Sequence, residues 1–280
     1  MAKDIRFTKM HGAGNDYIYV YTPENHIPDP VKASIEWSKP HFGIGSDGLI
    51  LIGKSAIPEA DFTMRIFNND GSEAMMCGNG VRCVGKYIYD HQLSARTTIA
   101  LDTLSGIKII NLRIEDEVCT GATVDMGEPI LKNTRQLASK DGSLIAGTIG
   151  GYDGTFVCMG NPHFVIFVKD VMEIDLESEG PKLENHSMFP ERCNIEFASI
   201  LPDGTIRMRV WERGSGITLA CGTGACATAV AASLCGLRGR ESDIEMDGGT
   251  LHIQWSEKDN HIYMTGPAST AFEGSICLPE

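Results

Sequence analysis

RIFNNDGSEAMMCGNG, residues Arg65–Gly80, aligns without a gap with RVWERGSGITLACGTG, residues Arg209–Gly224. Both copies run from an alternating strand pattern, through a polar turn, to Cys-Gly-x-Gly and then into a helical pattern. The offset is 144 residues, about half of the chain. The repeat therefore predicts two similar halves, each with one helix that begins just after a cysteine.

Two further segments upstream repeat with nearly the same spacing. HGAGNDYIYV from His11 aligns with VCMGNPHFVI from Val157, and SDGLILI from Ser46 aligns with RCNIEFA from Arg192. Both of these offsets are 146 residues. Three segments that keep their spacing within two residues indicate a duplication that covers most of the chain.

The rest of the sequence has many short strand patterns and few helical ones. Strands are predicted at residues 4–10, 16–21, 48–53, 61–67, 97–103, 107–114, 155–159, 163–168, 194–200, 205–211, 250–255 and 261–265. Helices are predicted at about 78–89 and 222–235, with shorter ones near 31–38 and 179–184. The helix at 222–235 is apolar on every side and should be buried. We expect an α+β fold in which a sheet surrounds a central helix in each half.

The composition excludes some partners and disfavours others. The 280 residues include 37 acidic and 24 basic side chains, and a net charge of −13 disfavours nucleic acid and anionic lipid. No apolar run approaches the roughly 20 residues that a membrane span needs. The N-terminal MAKDIRFTKM has no apolar signal-peptide core, so we expect a cytoplasmic protein.

The nine cysteines include no Cys-x-x-Cys pair and are expected as free thiols. Seven of them fit the ordinary prediction of a small core residue. They are Cys83, Cys119, Cys158, Cys193, Cys226, Cys235 and Cys277. The remaining two, Cys77 and Cys221, begin the repeated Cys-Gly-x-Gly motif.

Two literal motif matches fail in context. GIGSDG at Gly43–Gly48 fits the dinucleotide pattern but is followed by a strand, whereas that motif must open a helix. GLILIGKS at Gly48–Ser55 fits the phosphate-loop pattern, but four consecutive Leu and Ile side chains belong in a strand. The histidines His11, His41 and His163 are scattered, so we expect no metal site.

Glycines after a cysteine at a helix start are costly for a purely structural helix, by about 1 kcal/mol each relative to alanine. They are useful where a ligand must approach the backbone closely. A helix start also offers unpaired N–H groups and a partial positive charge, which bind a carboxylate. The same charge lowers the pKa of a neighbouring thiol. Cys77 and Cys221 are therefore expected to flank a bound carboxylate.

Two acid–base groups on opposite faces of one carbon suggest inversion of a stereocentre. One thiolate would remove the α-proton while the opposite thiol returns a proton to the other face. The N–H groups of the two helix starts would stabilise charge that develops on the substrate carboxylate.

Several segments resemble the signature sequences of the diaminopimelate epimerase family, and the resemblance spans nearly the whole chain. The segments are MHGAGND (10–16), GIGSDG (43–48), RIFNNDGSE (65–73), CGNGVRC (77–83), MGNPH (159–163), FPERCN (189–194), VWERGSG (210–216) and ACGTGACA (220–227). The resemblance implies conversion of LL- to meso-diaminopimelate, for lysine and peptidoglycan synthesis, without pyridoxal phosphate or any other cofactor. It also implies a homodimer.

Carried over by residue, the resemblance makes Cys77 and Cys221 the two bases, with His163 and Glu212 as groups that tune the thiols. The implied substrate-binding residues are Asn15, Asn68, Gly78, Asn79, Asn161, Asn194, Glu212, Arg213, Gly222 and Thr223. Asparagine can donate and accept, arginine suits a carboxylate, and glutamate suits an ammonium group. The resemblance departs at Gly48, where some family members have Gln, so Gly48 is left outside the predicted site.

The expected lobes are residues 1–126 with 268–280, which carry Cys77, and residues 127–267, which carry Cys221. The active site is expected in the cleft between them. Two alternatives stay open. One is a racemase of the same fold that acts on histidine or proline, whose single-ended substrate would leave polar groups for the far end unpaired. The other is a thiol redox protein.

Overall fold

The computed structural model describes residues 4–279, and the chain divides into two compact units. Unit 1 consists of Met1–Val124 with Gly266–Glu280, and unit 2 consists of Asp125–Thr265. Among the described residues, no helix has the length and apolar character that crossing a bilayer would require.

Nine strands and two helices of unit 1 lie among the described residues 4–279. The strands are β1 (Asp4–Gly12), β2 (Asn15–Tyr21), β3 (Gly48–Lys54), β4 (Phe62–Asn68), β5 (Glu73–Ala74), β6 (Thr98–Thr103), β7 (Gly106–Glu115), β8 (Val118–Asp125) and β18 (Ser269–Cys277). The helices are α1 (Pro30–Ser38) and α2 (Gly78–Asp90). Asp29 caps α1 by accepting from the backbone N–H of Lys32.

The sheet of unit 1 is mostly antiparallel, in the order β18-β1-β2-β3-β4-β6-β7-β8, with the two-residue β5 also paired to β4. Only β2–β3 and β4–β6 are parallel pairs among those described. The register sets Ile18 opposite Leu49 and Gly48 opposite Asn68. The loops before β3 and after β4 are thereby brought beside the start of β2.

Unit 2 repeats this plan. Its strands are β9 (Gly147–Ile149), β10 (Tyr152–Cys158), β11 (Pro162–Phe167), β12 (Asn194–Ile200), β13 (Ile206–Glu212), β14 (Gly216–Thr218), β15 (Glu241–Met246), β16 (Gly249–Trp255) and β17 (Ile262–Pro267). Its α-helices are α3 (Leu176–Glu184) and α4 (Gly222–Leu234). The order β9-β10-β11-β12-β13-β15-β16-β17 again has two parallel pairs, β11–β12 and β13–β15.

The long helix of each unit is enclosed by its sheet. In α2, residues Gly78–Ile88 are all buried, and the helix packs on β1, β2 and β7. In α4, whose residues are mostly Ala, Gly, Cys and Thr, the small side chains let β10, β11, β15 and β16 approach closely. The expected α+β fold, with two lobes that each surround a helix, is confirmed.

All twelve predicted strands are present, and all four predicted helices occur within three residues of their expected ends. Six strands, β5, β8, β9, β14, β15 and β18, were not predicted from the pattern. The strand β15 was missed because its sequence, ESDIEM, is polar enough to suggest a loop. The helix α3 begins three residues earlier than predicted because Asp175 caps it by accepting from the N–H of Ser178.

Two cysteines depart from the predicted core location. Cys277 is exposed on β18, where its thiol donates to Asp4 Oδ1 over 3.4 Å. Cys235 is half-buried as the C-cap residue of α4. The other five cysteines assigned to the core are buried.

Candidate active site

Cys77 is the N-cap residue of α2 and is half-buried. Its extended backbone (φ −140°, ψ 112°) turns the side chain back over the helix start, so Sγ accepts from the N–H of Gly80 at 3.4 Å. The first N–H groups of a helix have no acceptor within the helix, and here a sulfur takes one of them. The predicted location of Cys77 at a helix start is observed.

A half-buried chain of hydrogen bonds fixes the group opposite the Cys77 sulfur. Asn15 Nδ2 donates to Asp47 Oδ2 at 2.7 Å, and the same oxygen accepts from the N–H of Asp16 at 3.0 Å. Because a carboxylate accepts only, the amide of Asn15 is fixed with its carbonyl turned away from Asp47. The Cys77 thiol donates to that carbonyl, Asn15 Oδ1, over 3.2 Å. Burial raises the pKa of Asp47.

The other predicted residues of unit 1 lie around the same strand ends and helix start. Asn68 ends β4, and its Nδ2 donates to Ser72 Oγ at 3.0 Å. Gly78 and Asn79 form the first turn of α2 and are buried. Asn79 Oδ1 accepts from Arg82 at 2.9 Å, so its side chain braces the helix while its backbone N–H belongs to the unpaired first turn.

Gly48 packs against backbone that leaves no room for a side chain. A Cβ atom there would lie 2.1 Å from the carbonyl oxygen of Phe67 and 3.0 Å from Asn68 Cα. Backbone atoms cannot yield by that amount, so position 48 of this chain takes no larger residue without moving β4. Gly48 therefore packs directly against β4 and offers no side chain to the site.

Cys221 caps α4 in the same way as Cys77 caps α2. Its backbone is extended (φ −125°, ψ 110°), and its Sγ accepts from the N–H of Gly224 at 3.4 Å. Unlike Cys77, it is only 5% exposed. Gly222 and Thr223 form the first turn of the helix, and Thr223 Oγ1 lies 3.5 Å from Cys221 Sγ.

A line of polar side chains leads from the interior of unit 2 to Thr223. His163 on β11 is fully buried, and its Nδ1 lies 2.6 Å from Oε1 of Glu196 on β12, which is also fully buried. On the other side of the ring, His163 Nε2 lies 3.0 Å from Asn161 Oδ1. Asn161 Nδ2 donates to Thr223 Oγ1 at 3.3 Å. Unit 2 therefore connects three predicted residues with Cys221.

The remaining predicted residues of unit 2 lie at the end of β13. Glu212 is its last residue and accepts from the Thr218 hydroxyl. Arg213 follows in the turn, where its guanidinium donates to the carbonyl of Glu191 at 2.9 Å. Asn194 is almost fully buried and uses both ends of its amide, donating to the carbonyl of Pro162 and accepting from the N–H of Arg213. Its side chain holds the turn in place.

The pKa of Cys221 differs from the sequence expectation. A helix start was expected to lower it, but burial raises it well above 9.0, and the negative charges of Glu212 and Glu196 raise it further. The hydroxyl of Thr223 and the N–H of Gly224 act in the expected direction but are the weaker influences. In the arrangement described, desolvation of the thiolate outweighs the charge of the helix end.

Three groups beside the cysteines were not predicted from the sequence. They are Tyr17 and Asp47 in unit 1 and Glu196 in unit 2. For Glu196 a signal existed, since a glutamate in the otherwise uncharged run Asn194–Ser199 must be buried with the strand. Tyr17 is buried beside Cys77 and Asp47, and desolvation raises the pKa of its hydroxyl well above 10.0. Within residues 4–279, no group of three His, Cys, Asp or Glu side chains is arranged to hold a metal ion.

A family model described as diaminopimelate epimerase matches residues 7–132 and 155–271. The chain is 61% identical over 280 residues to a diaminopimelate epimerase of Phocaeicola vulgatus, with 99% of both chains covered. It is 58% identical over 276 residues to that of Bacteroides thetaiotaomicron, again with 99% of each covered. A Methanococcus maripaludis protein of the same name is 51% identical and covers 97% of this chain and 99% of its own.

Solved structures of more distant proteins share the fold. A phenazine biosynthesis protein of the PhzF family from Bacillus anthracis has a TM-score of 0.71 at 15% identity, with 98% of this chain and 99% of that chain covered. A hydroxyproline epimerase from Agrobacterium vitis has the same TM-score and identity, with 100% and 95% covered. At this level of identity, the similarity concerns the fold alone.

Proposed function

The chain belongs to the diaminopimelate epimerase family, and from this premise we propose that it interconverts LL- and meso-diaminopimelate by a two-base reaction without a cofactor. Cys77 and Cys221 are the bases. The observation that supports this most directly is their equivalent placement. Each caps a helix and is followed by Gly-x-Gly. Each sulfur accepts, at 3.4 Å, from the backbone N–H of the residue three positions later.

The reaction transfers protons only. The thiolate of one cysteine takes the α-proton, the electron pair of the broken C–H bond moves into the substrate carboxylate, and the thiol of the other cysteine protonates the opposite face of the same carbon. The carboxylate bears the developing charge. The unpaired N–H groups of Gly78, Asn79, Gly222 and Thr223 at the two helix starts are suited to stabilise it.

A diaminopimelate substrate has two ammonium and two carboxylate groups. The carboxylate of Glu212 suits an ammonium group, and the guanidinium of Arg213 suits a carboxylate. Asn15, Asn68, Asn161 and Asn194 are the proposed polar contacts along the rest of the substrate, with Asn194 acting through the turn that presents Arg213. We also propose a cytoplasmic homodimer as the working form. Sedimentation equilibrium should then give a mass near twice the 30.4 kDa of the chain.

The test is isotope uptake from solvent. Freshly reduced protein is incubated with LL-diaminopimelate in deuterated water, without added cofactor, and the α-protons are followed by NMR. We expect one deuteron to enter one α-carbon as the meso isomer appears. Parallel samples with L-histidine and L-proline test the racemase alternative, and deuterium uptake into either at a comparable rate would favour that alternative. No uptake with any of the three would reject the proposal.

A further inference from the structure

The burial of the Glu196 carboxylate lowers the stability of the fold, and packing does not require a carboxylate at this position. Its side chain is fully buried in the middle of β12, and its Oε2 atom has no hydrogen-bond partner among residues 4–279. A buried carboxylate lowers stability unless its charge is compensated. The counterpart of this position in unit 1, at the 146-residue offset, is Ile50, which is equally buried. The fold therefore accepts an apolar residue at this place.

The hydrogen bonds of His163 determine how many protons its ring carries. Both ring nitrogens face oxygen atoms, Glu196 Oε1 at 2.6 Å and Asn161 Oδ1 at 3.0 Å. While Glu196 is ionised, both partners of the ring are acceptors, and the ring then needs a proton on each nitrogen. Burial raises the pKa of Glu196, whereas the positive charge of His163 lowers it. If the Asn161 amide were reversed, the ring would be neutral and the buried Glu196 charge would lack a counterion. The ion pair of an imidazolium with a carboxylate avoids that cost.

The two protons on the His163 ring determine which groups donate and which accept in the remaining hydrogen bonds. Since Asn161 Oδ1 accepts from His163, its Nδ2 must face outward, where it donates to Thr223 Oγ1 at 3.3 Å. The Thr223 oxygen is then an acceptor, and its own proton is free to point at Cys221 Sγ, 3.5 Å away. A hydroxyl that donates to the sulfur stabilises the thiolate.

Glu196 also lies directly beneath the start of α4. A Cβ atom on Gly224 would lie 2.8 Å from Glu196 Oε1 and 3.2 Å from Cys221 Sγ, so only glycine lets the carboxylate and the sulfur share this helix end. The partial positive charge of the helix start stabilises both anions. Burial acts in the opposite direction and raises the pKa of both Cys221 and Glu196; the charge of Glu212 raises both further, and the charge of Glu196 also raises the pKa of Cys221.

We propose that Glu196 is a positioning residue for proton transfer at Cys221. It keeps His163 doubly protonated, and through the Asn161 amide it orients the Thr223 hydroxyl so that the last proton of the series points at the sulfur. The assignment of a catalytic purpose rests on the function proposed above. Glu196 itself has no need to touch the substrate.

The first measurement reads the protonation of His163 without any turnover. Protein labelled with ¹⁵N in its histidines is examined by NMR at pH 8, and a His163→Gln variant identifies the signals. We expect the wild type to show an imidazolium at His163, and Glu196→Gln to show a neutral ring, because the amide of Gln replaces the counterion. A neutral His163 in the wild type overturns the proposal, as does an imidazolium that survives in Glu196→Gln.

The second measurement is the pH profile of kcat/KM for epimerisation. In Glu196→Gln the negative charge of Glu196 and the positive charge of His163 are lost together, so the net charge beside Cys221 is unchanged. The Thr223 hydroxyl is no longer oriented toward the sulfur, so the thiolate is less stabilised, its pKa rises, and the limb of the profile that reports its ionisation moves to higher pH, by about one unit. Glu196→Asp keeps the charge and should recover most of this shift. If Glu196→Gln fails to fold, the Asp variant and the wild-type spectrum decide the question.

Glu184→Gln is the matched control. Glu184 is another buried carboxylate of unit 2, bonded to Arg192, Trp211 and the N–H of Gly214. Its loss should lower stability without moving the midpoint of the pH profile. A midpoint that moves no further in Glu196→Gln than in Glu184→Gln leaves Glu196 with a structural role and overturns the proposal. A wild type without epimerase activity would instead reject the proposed function, while the NMR result would still decide the ion pair.

Discussion

Unit 1 and unit 2 have the same strand order around a helix that begins after a cysteine, yet the groups beside the two sulfurs differ in kind. At the 146-residue offset three of the differing pairs are Tyr17 and His163, Asp47 and Cys193, and Ile50 and Glu196. In unit 1 a half-buried carboxylate lies beyond the asparagine, whereas in unit 2 a fully buried one lies beneath the helix. Cys77 consequently donates to a carbonyl, while Cys221 lies beside a hydroxyl.

This difference shows that the duplicated backbone determines where each thiol lies within its unit. It does not determine whether the group beside the sulfur donates or accepts a hydrogen bond. A two-base reaction needs one sulfur to accept a proton while the other releases one. Surroundings that are identical would give the two sulfurs the same proton affinity. The unlike neighbours of Cys77 and Cys221 are suited to separate the two roles.

The largest expected effect comes from removing either sulfur. Cys77→Ala and Cys221→Ala should each lower the rate of epimerisation by at least ~10³-fold, because each deletes one of two proton-transfer groups. The remaining thiol can still remove and return a proton on its own face. Each variant should therefore exchange the α-proton of one isomer with deuterated water, without inversion, and the two variants should prefer opposite isomers.

Cys277→Ser is the matched control for these variants because Cys277 is exposed on β18. It should epimerise at the wild-type rate. Retention of more than a tenth of wild-type turnover in either alanine variant would contradict the two-base scheme. Exchange of the same isomer by both variants would contradict the proposal that the two thiols act on opposite faces of one carbon.

The sequence was sufficient to predict the parts of this comparison that rest on local pattern. The Cys-Gly-x-Gly motif predicts a helix start by itself, and the offset between its copies predicts two lobes. The partners Asp47 and Glu196 were missed because their role depends on strand register and burial. Glu196 contacts His163 only because β11 and β12 are parallel neighbours. The raised pKa of Cys221 likewise depends on desolvation, which no motif records.

A second way to test the comparison is to give unit 1 the carboxylate of unit 2. Ile50 is fully buried beneath α2, and a Cβ atom on Gly80 would lie 2.7 Å from its Cδ1 atom. In Ile50→Glu the new carboxylate would face Tyr17 where Glu196 faces His163, without a cationic partner. We expect the free energy of unfolding to fall by about 3–5 kcal/mol, measured by urea denaturation.

Ile50→Val is the reference variant for this experiment, since loss of one buried methylene lowers the free energy of unfolding by about 0.5–1.5 kcal/mol. If Ile50→Glu were as stable as Ile50→Val, a carboxylate beneath the helix would lower the free energy of unfolding no more than the loss of one methylene does. Retention of Glu196 for function would then have no energetic basis.

A smaller effect is expected from the carboxylate of unit 1. In Asp47→Asn the new amide no longer requires Asn15 to donate, so the carbonyl of Asn15 is no longer fixed toward Cys77. We expect kcat/KM to fall about tenfold, as for the loss of one hydrogen bond to a charged group. Asp61→Asn is the control, because Asp61 also accepts from a backbone N–H and a side chain in unit 1. A similar loss in both variants would show a general effect of charge.

The smallest expected change concerns the charge near Cys221. Burial, Glu212 and Glu196 all raise the pKa of this thiol, so in a Cys77→Ala background the rate of its alkylation should rise with pH to a midpoint above 9.0. Glu212→Gln removes one nearby negative charge and should lower that midpoint by about half a pH unit, because the thiolate is then less repelled. Iodoacetamide labelling, with the Cys221 peptide followed by mass spectrometry, measures both values. A midpoint below that of a free thiol, ~8.5, would mean that the helix start outweighs burial, and Cys221 would then resemble the thiol that the sequence alone predicts.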